Sequence, residues 1–269
     1  MSYTECMTYT CLMREHESGT KDKLPAGLDQ LWARLDQPAP EPRTGLSLGR
    51  IARAAVELAD AGGLEAVSMA RVAERLGFTT MSLYRHVKSK NELLLLMLDS
   101  VAAVPDEVAV PGEEWRAGLR RWCRAQWEML RAHAWIVHLP ITGPPVTPNQ
   151  LAWTDRALAA LGGTGLTERD KAGVVLLVAN YMHTAARLAA ELGQAASGES
   201  IAAYSALLGS LADERRFPAL RAAADAGAFD YPADLPEEER RFDYTFGLDR
   251  ILDGVEVLIG SRGGEAPAG

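Results

Sequence analysis

The amino-acid sequence predicts an all-α protein of about nine or ten helices. From Ser47 onward, signals for the start of a helix recur, and the apolar-polar alternation that marks a strand is nearly absent. Apolar residues repeat instead at intervals of three and four, and glycine or proline residues follow many of these repeats. Together these observations favour helices that pack on helices.

The composition is that of a globular chain. Its 269 residues are 48% hydrophobic, and its apolar runs are far shorter than the roughly 20 residues of a membrane span. The three cysteines, Cys6, Cys11 and Cys123, form no disulfide framework, which favours the cytoplasm. The first residues lack the apolar stretch of a signal peptide. We therefore expect a cytoplasmic protein without a membrane segment.

Charge is distributed unevenly along the chain. The net charge is −8, but residues 43–100 contain eight Lys or Arg and six Asp or Glu, so this segment is slightly basic. The rest of the chain carries all of the negative excess. This asymmetry predicts a near-neutral or basic module joined to an acidic body.

Four segments follow from the composition. Residues 1–44 are polar and end in the proline-rich "DQPAPEPRTG", so we expect a mostly flexible extension, with Leu28, Leu31, Trp32 and Leu35 as a short apolar patch. Translation from Met7 or Met13 is an alternative explanation of this extension. Helical domains are expected over 45–104 and 105–261, and a flexible tail over 262–269.

The first helical domain has clear start and stop signals. An apolar stripe of Ile51, Ala55, Leu58 and Ala59 ends at Gly62 and Gly63. Ser68 can cap "MARVAERL", which Gly77 stops, and Ser89 with Glu92 forms a capping box ahead of "LLLLML". Later helix starts are predicted at Thr147 with Pro148, Thr167 with Asp170, and Asp234 with Glu237.

The segment "VAERLGFTTMSLYRHV" has the pattern of two short helices around a turn. Ala73 is small where the helices approach, and Gly77 allows the turn. Apolar side chains expected to fix the angle between the helices are Val72, Leu76, Phe78 and Leu83. The second helix starts at Thr79 or Thr80, and its first residues would face base edges in a major groove.

Residue types around this second helix suit contacts with DNA. Thr80 and Ser82 can bind base edges or phosphates, Met81 can contact a thymine methyl, and Arg85 can form two hydrogen bonds with guanine. Phosphate contacts are expected from Tyr84, Lys88 and Lys90, and Arg43 could reach a phosphate or the minor groove. The alternative is an ordinary solvated helix face.

Residues 47–98 resemble the DNA-binding domain of the TetR family of transcriptional repressors. "LYRHVKSKNELL" is similar to the family signature L-Y-x-H-x-x-x-K-x-x-L-L. The resemblance implies an N-terminal three-helix helix-turn-helix domain whose recognition helix covers Thr79 to Val87. It also implies that Tyr84 and His86 are its characteristic aromatic and histidine, and that Lys90 is its phosphate-clamping lysine.

The C-terminal segment "FGLDRILDGVEVLI" resembles the tetracycline-repressor-like C-terminal class, and the weaker likeness extends over residues 113–260. It implies that the last helix and the long helix before it form a four-helix bundle with a second copy. An ordinary packed terminal helix is the alternative. The predicted dimer interface comprises Val175, Val178, Met182, Gly247, Leu248, Ile251, Gly254, Val255 and Leu258.

Polar residues beside apolar helix faces are the effector-site candidates. Gln126 interrupts the stripe of Trp115, Leu119, Trp122 and Met129, while Asn180 and His183 adjoin a long apolar run. Asn180 and His183 either face water or line a cavity. By resemblance, His138 matches a ligand-contact position of the tetracycline repressor, but its neighbours do not match. The predicted effector site comprises Trp122, Gln126, His138, Asn180 and His183, for a bulky apolar or aromatic molecule.

The sequence thus predicts a homodimeric regulator that represses a nearby gene and leaves a pseudo-palindromic, double-stranded operator when a small effector binds. An enzyme is not expected, because no P-loop, nucleophile elbow, HExxH or dinucleotide motif is present. We expect no cofactor, and no metal at Cys6, Cys11 and His16. The alternative is a helical protein-interaction module on the same fold without operator binding.

Overall fold

The computed structural model describes Trp32 and residues 45–108, 112–140, 143–195, 207–208, 210–229 and 242–263. Nine α-helices and no strands lie within these residues. The helices are α1 (Leu48–Gly62), α2 (Met69–Leu76), α3 (Thr80–Tyr84), α4 (Lys90–Val101), α5 (Trp115–Ala132), α6 (Pro148–Ala160), α7 (Glu168–Ala195), α8 (Pro218–Asp225) and α9 (Phe242–Gly263). The all-α prediction is confirmed. The predicted start at Asp234 and Glu237 lies outside the described residues.

The chain divides into two compact units. The described residues of Met1–Ala103 and Pro140–Ala152 form the first, and those of Val104–Leu139 and Trp153–Gly269 form the second. The segment Pro140–Ala152 belongs to the first unit, although the sequence places it within a second domain. Helix α6 therefore begins in the first unit and ends in the second.

In the first unit, α1 packs against α4 and α2, and α2 packs against α3. Its core consists of apolar side chains with almost no exposed surface, among them Ile51, Ala55, Val72, Leu83, Leu93 and Met97. Burying each large side chain stabilises the fold by roughly 1.5–3 kcal/mol, which holds the short helices in place despite their weak intrinsic stability.

Side-chain caps fix where these helices begin. Ser68 accepts a hydrogen bond from the Arg71 amide at 3.2 Å, and Ser89 accepts one from the Glu92 amide at 3.1 Å. Each such cap contributes about 1 kcal/mol. The predicted capping box is only half formed, because the Glu92 carboxylate accepts from the Lys88 amide at 2.7 Å rather than from the Ser89 amide. Glu92 thereby ties the loop before α4 to the first turn of α4.

In the second unit, α5 and α9 both contact α7. Trp122 is almost fully buried, packs edge to face on Trp153 with ring centroids 5.9 Å apart, and donates to the Trp153 carbonyl at 2.9 Å. Arg116 and Arg120 of α5 pair with Asp253 and Asp249 of α9 at 2.5 and 2.6 Å. Ion pairs near the surface such as these add little energy, and they link α5 to α9. None of the described helices combines the length and apolar character that crossing a membrane requires.

Candidate functional site

Helix α3 is short and sits on a tight turn. Gly77 adopts a left-handed conformation with φ 74°, and Phe78 donates to the Ala73 carbonyl at 2.9 Å, which closes α2. The α-helix spans only Thr80–Tyr84, not the predicted Thr79 to Val87. His86 and Val87 still donate to the Leu83 carbonyl at 2.9 and 3.0 Å, so helix-like bonding continues beyond Tyr84.

One side of α3 packs into the core of the first unit, and the opposite side faces solvent. Leu83 and Val87 have no exposed surface, whereas Met81 is 74% and Tyr84 41% exposed. Arg85 is also exposed. The apolar anchors therefore fix α3 while the side chains predicted to meet DNA remain on its outer side.

The threonine and serine hydroxyls at the start of α3 are partly engaged with one another. Thr79 is the N-cap and accepts from the Ser82 amide at 3.2 Å, and the two hydroxyls lie 2.9 Å apart. Thr80, Ser82 and His86 are half-buried. Each hydroxyl retains further hydrogen-bonding capacity, because a hydroxyl has one donor and two acceptor positions.

Phe78 was expected to be an apolar anchor, and this expectation is wrong. It is 36% exposed, because the left-handed turn at Gly77 places it at the corner between α2 and α3. Val72 and Leu83 are buried as predicted, and Leu76 is half-buried. Phe78, Met81 and Tyr84 are the large apolar or aromatic side chains exposed on this part of the first unit.

Most basic side chains of the described part of the first unit have a partner within the chain. Arg75 pairs with Glu57 at 2.5 Å, and Arg71 donates to the Ala66 carbonyl at 3.4 Å. The others with such interactions are Arg50, Arg53 and Lys88. The side chains of Arg85 and Lys90 form no ion pair or hydrogen bond with described residues, so their charges are available to a partner.

The Lys88 side chain is exposed, and its ammonium group forms hydrogen bonds within the chain. Its ammonium group donates to the Tyr84 carbonyl at 3.2 Å and to the Arg85 carbonyl at 3.0 Å. Both carbonyls lie at the end of α3, where helix carbonyls lack backbone partners. Lys88 therefore caps the C-terminal end of α3.

Lys90 occupies the first position of α4, next to the N-cap Ser89. The amides of Lys90 and its neighbour Asn91 have no acceptor within the helix, and both side chains are exposed. Amide donors and an ammonium group at a helix start form a suitable phosphate site. Arg43 lies outside the described residues.

The five predicted effector residues differ in burial, and Trp122 is the most buried of them. Gln126 is half-buried, whereas His138 and Asn180 are exposed. His183 lies beside the 134–138 turn, since it forms a hydrogen bond with the Val137 backbone and is affected by the charge of His138. Burial lowers the pKa of His183 from 6.5, although the Val137 bond opposes this change.

Two further residues on the His183 helix bind each other. Arg187 pairs with Glu191 at 2.8 Å, and both are exposed. The hydrogen bond from Arg187 lowers the pKa of the Glu191 carboxyl. Of the two polar residues predicted on α7, Asn180 is exposed and His183 is half-buried.

Five of the nine residues of the predicted dimer interface pack inside the single chain. Val175, Val178, Met182, Leu248 and Val255 are buried within a single chain, because they pack α5, α7 and α9 together. Ile251 and Leu258 are half-buried. Gly247 also serves contacts within the chain, since a Cβ there would clash with the Tyr181 hydroxyl. Gly254 has open space beside it.

A different apolar face on α7 and α9 is exposed. Leu176 and Val257 are 62% and 73% exposed, and the other large members are Leu177, Leu188 and Phe246. Large exposed apolar faces mark interaction surfaces. The interface predicted from the sequence does not include these residues. The signal for them was the apolar character of α7 on nearly all sides, because such a helix requires burial on more than one side.

No group of three or more His, Cys, Asp or Glu side chains with metal-binding geometry occurs in the described ranges. Cys6, Cys11 and His16 lie outside these ranges. Cys123 is buried, and its burial raises the thiol pKa to about 12, so it is neutral at ordinary pH.

Two family models match the chain. Residues 51–97 match "Bacterial regulatory proteins, tetR family", and residues 109–259 match "Tetracyclin repressor-like, C-terminal domain". The second match alone covers more than half of the 269 residues. Both matches begin and end close to the two helical domains that the sequence suggests.

Individual relatives agree with these models. The HTH-type transcriptional repressor DrrR1 of Streptomyces coeruleorubidus is 34% identical over 89% of this chain and 88% of its own length. The tetracycline repressor protein class A from transposon 1721 of Escherichia coli is 27% identical over 79% and 91%. The TetR family protein ActR of Streptomyces coelicolor, solved with actinorhodin, superposes with a TM-score of 0.67 at 29% identity, over 81% of this chain and 100% of that chain.

Proposed function

Because this chain belongs to the TetR family of bacterial regulatory proteins and is a DNA-binding transcriptional regulator rather than an enzyme, we propose that it is a homodimeric repressor of a nearby gene. A small aromatic or apolar effector releases it from a pseudo-palindromic operator. It works in the cytoplasm, where it has access to DNA. The alternative of a protein-interaction module without operator binding is not favoured, since the relatives are named transcriptional regulators.

The observation that carries the DNA-binding proposal is the pair of unpartnered cations around α3. Arg85 lies just beyond the helix and Lys90 begins α4, while the neighbouring cations already have partners within the chain. Arg85 reads a guanine, and Lys90 with the free amides of α4 binds a phosphate. Met81 and Tyr84 add contacts with a thymine methyl and the backbone, and Thr79, Thr80, Ser82 and His86 complete the surface.

The homodimer is formed by the exposed apolar face of α7 and α9. Leu176, Leu177, Leu188, Phe246 and Val257 leave water when two copies meet about a two-fold axis. No atom of the chain lies within 4 Å of the position that a Cβ would take at Gly254, so this glycine allows the partner's helix to approach closely. Asn180, which is exposed on α7, belongs to this face rather than to the effector site.

Two observations support an effector. ActR has been solved with actinorhodin and with (S)-DNPA, so a protein 29% identical to this one binds both of these compounds. In this chain, the second unit contains the half-buried polar residues Gln126 and His183, and the charge of His138 acts on His183. Effector binding would favour a dimer in which the two α3 helices no longer match the half-site spacing.

A footprint on the intergenic DNA beside the gene tests this function. We expect protection of two half-sites whose centres are about one helical turn, or a small multiple of it, apart. Tyr84→Ala with Lys90→Ala should abolish protection while the dimer remains intact. Protection by this double variant, or none by the wild-type protein, would contradict the proposal.

A further inference from the structure

Lys88, in the loop between α3 and α4, is held by both its side chain and its backbone. Its ammonium group donates to the carbonyls of Tyr84 and Arg85 at 3.2 and 3.0 Å. Its backbone amide donates to the carboxylate of Glu92, in the first turn of α4, at 2.7 Å. Lys88 therefore connects the end of α3 to the start of α4 through three hydrogen bonds.

The two carbonyls that Lys88 contacts have no backbone donor among the described residues. Carbonyls at the end of a helix carry a partial negative charge, so a cation is favourable beside them. Helix α3 has only five residues, and so short a helix has little stability of its own. Its last turn therefore depends on contacts from outside the helix, and the Lys88 ammonium group supplies two of them.

The Glu92 end of this connection is anchored in the first unit. Glu92 is only 9% exposed, and its amide donates to the Ser89 hydroxyl at 3.1 Å. Helix α4 packs against α1. A buried carboxylate depends on its hydrogen bonds to offset the hydration that it has lost, so it holds its donor in place. Lys88 thereby fixes the last turn of α3 relative to a helix of the packed core.

The sequence predicts a phosphate contact for Lys88, and that role differs in its consequences from a role as a cap. A phosphate contact strengthens binding to every DNA sequence alike and adds about one to the slope of log K against log salt. A cap on α3 instead acts on the placement of the side chains that read bases. It therefore strengthens binding to the operator but not to unrelated DNA.

We propose that Lys88 is a positioning residue that determines sequence specificity. Its ammonium group holds the last turn of α3 against α4, so that Arg85 and the other side chains on the outer side of α3 meet the base edges of the operator. This inference rests on the operator binding proposed above. It adds a residue that affects the reading of bases through the backbone of α3.

The test compares two affinities of the full-length protein, measured by fluorescence anisotropy: for the footprinted intergenic operator and for a scrambled duplex of the same length. Lys88→Met keeps the aliphatic stem but removes the ammonium group. It should lower the ratio of operator to scrambled affinity about 5-fold, the size expected for one net hydrogen bond, and leave the salt slope unchanged.

Two further variants serve as controls. Lys88→Arg retains N–H donors for the two carbonyls and should keep most of the wild-type ratio. Lys171→Met makes the same change in the second unit, where Lys171 pairs with Glu168 at 2.7 Å, and it should keep the whole ratio.

The ratio distinguishes positioning from a loss of folded protein. A partly unfolded variant loses the same fraction of its binding to both duplexes, so its ratio stays that of the wild-type protein. Hydrogen exchange without DNA adds a local measurement. The amides of His86 and Val87, which donate to the Leu83 carbonyl in the restrained turn, should exchange faster in Lys88→Met.

A wild-type ratio in Lys88→Met would overturn the inference. If both affinities then fall alike and the salt slope drops by about one, Lys88 binds a phosphate instead. An equal loss of ratio in Lys171→Met would also overturn it, because the effect would not depend on α3. In these cases the wild-type preference for the operator stands, so the proposed function survives. A wild-type protein without that preference would refute operator binding and this inference together.

Discussion

The carboxylate of Asp99 accepts a hydrogen bond from the backbone amide of Asn149 at 2.8 Å, and the Asn149 side chain donates to the Asp99 carbonyl at 2.7 Å. Asp99 lies in the last turn of α4 and Asn149 in the first turn of α6. Asp99 is buried, and its negative charge meets the positive end of α6. This pair ties the helix that carries Lys90 to the helix that continues into the second unit.

Asp99→Ala should lower the free energy of unfolding by about 1–3 kcal/mol, because it leaves the Asn149 amide unpaired and the start of α6 without a capping charge. Urea denaturation measures this loss. Asp155→Ala, which removes an exposed carboxylate on α6, should change the stability by less than about 0.5 kcal/mol. Equal effects of the two changes would mean that the double hydrogen bond has no special role.

Lys90→Ala should weaken operator binding to a similar extent for all sequences and reduce the slope of log K against log salt by about one, as expected for a lost phosphate contact. Arg85→Ala should instead relax the preference for one base pair by about 1–3 kcal/mol. Fluorescence anisotropy with an operator library distinguishes the two. Arg75→Ala is the control, because that guanidinium is already paired with Glu57. An unchanged salt slope in Lys90→Ala would exclude the phosphate role.

Val257→Glu should convert the dimer into a folded monomer, because it places a charge on the exposed face of α7 and α9 that we propose to be covered by a second copy. Light scattering after size-exclusion chromatography measures the mass. Leu211 is also strongly exposed but lies outside these two helices, so Leu211→Glu should remain a dimer. A dimeric Val257→Glu would place the interface elsewhere.

His183 should make the protein less stable in mild acid. Burial lowers the folded-state pKa below the ordinary value of 6.5, so the unfolded chain binds the proton more readily. The contribution of His183 to stability is thus lost as the pH falls through 6.5 towards the folded-state pKa. The melting temperature of His183→Gln should fall less between pH 7 and pH 5 than that of the wild-type protein. Parallel curves would show that His183 titrates alike in both states.

Local sequence was sufficient for much of the first unit. Ser68 and Ser89 cap the helices expected of them, and Gly77 makes the expected turn, because caps and left-handed turns depend on residues only a few positions apart. The family resemblance implied a recognition helix from Thr79 to Val87. The α-helix α3 is shorter, because only the five residues Thr80–Tyr84 have full α-helical bonding.

Which apolar side of a helix faces its own chain was decided by tertiary structure alone. Helix α7 is apolar on several sides, so periodicity could not separate Val178, which is buried in the chain, from Leu176, which is exposed. The exposure of Phe78 likewise depends on residues that only folding brings near. The same holds for the Trp127 indole N–H, which has no hydrogen-bond acceptor among the described residues. The sequence by itself determined the all-α fold, the helix-turn-helix segment and the family, because those signals are local. The burial and hydrogen-bond partners of individual side chains required the packed helices.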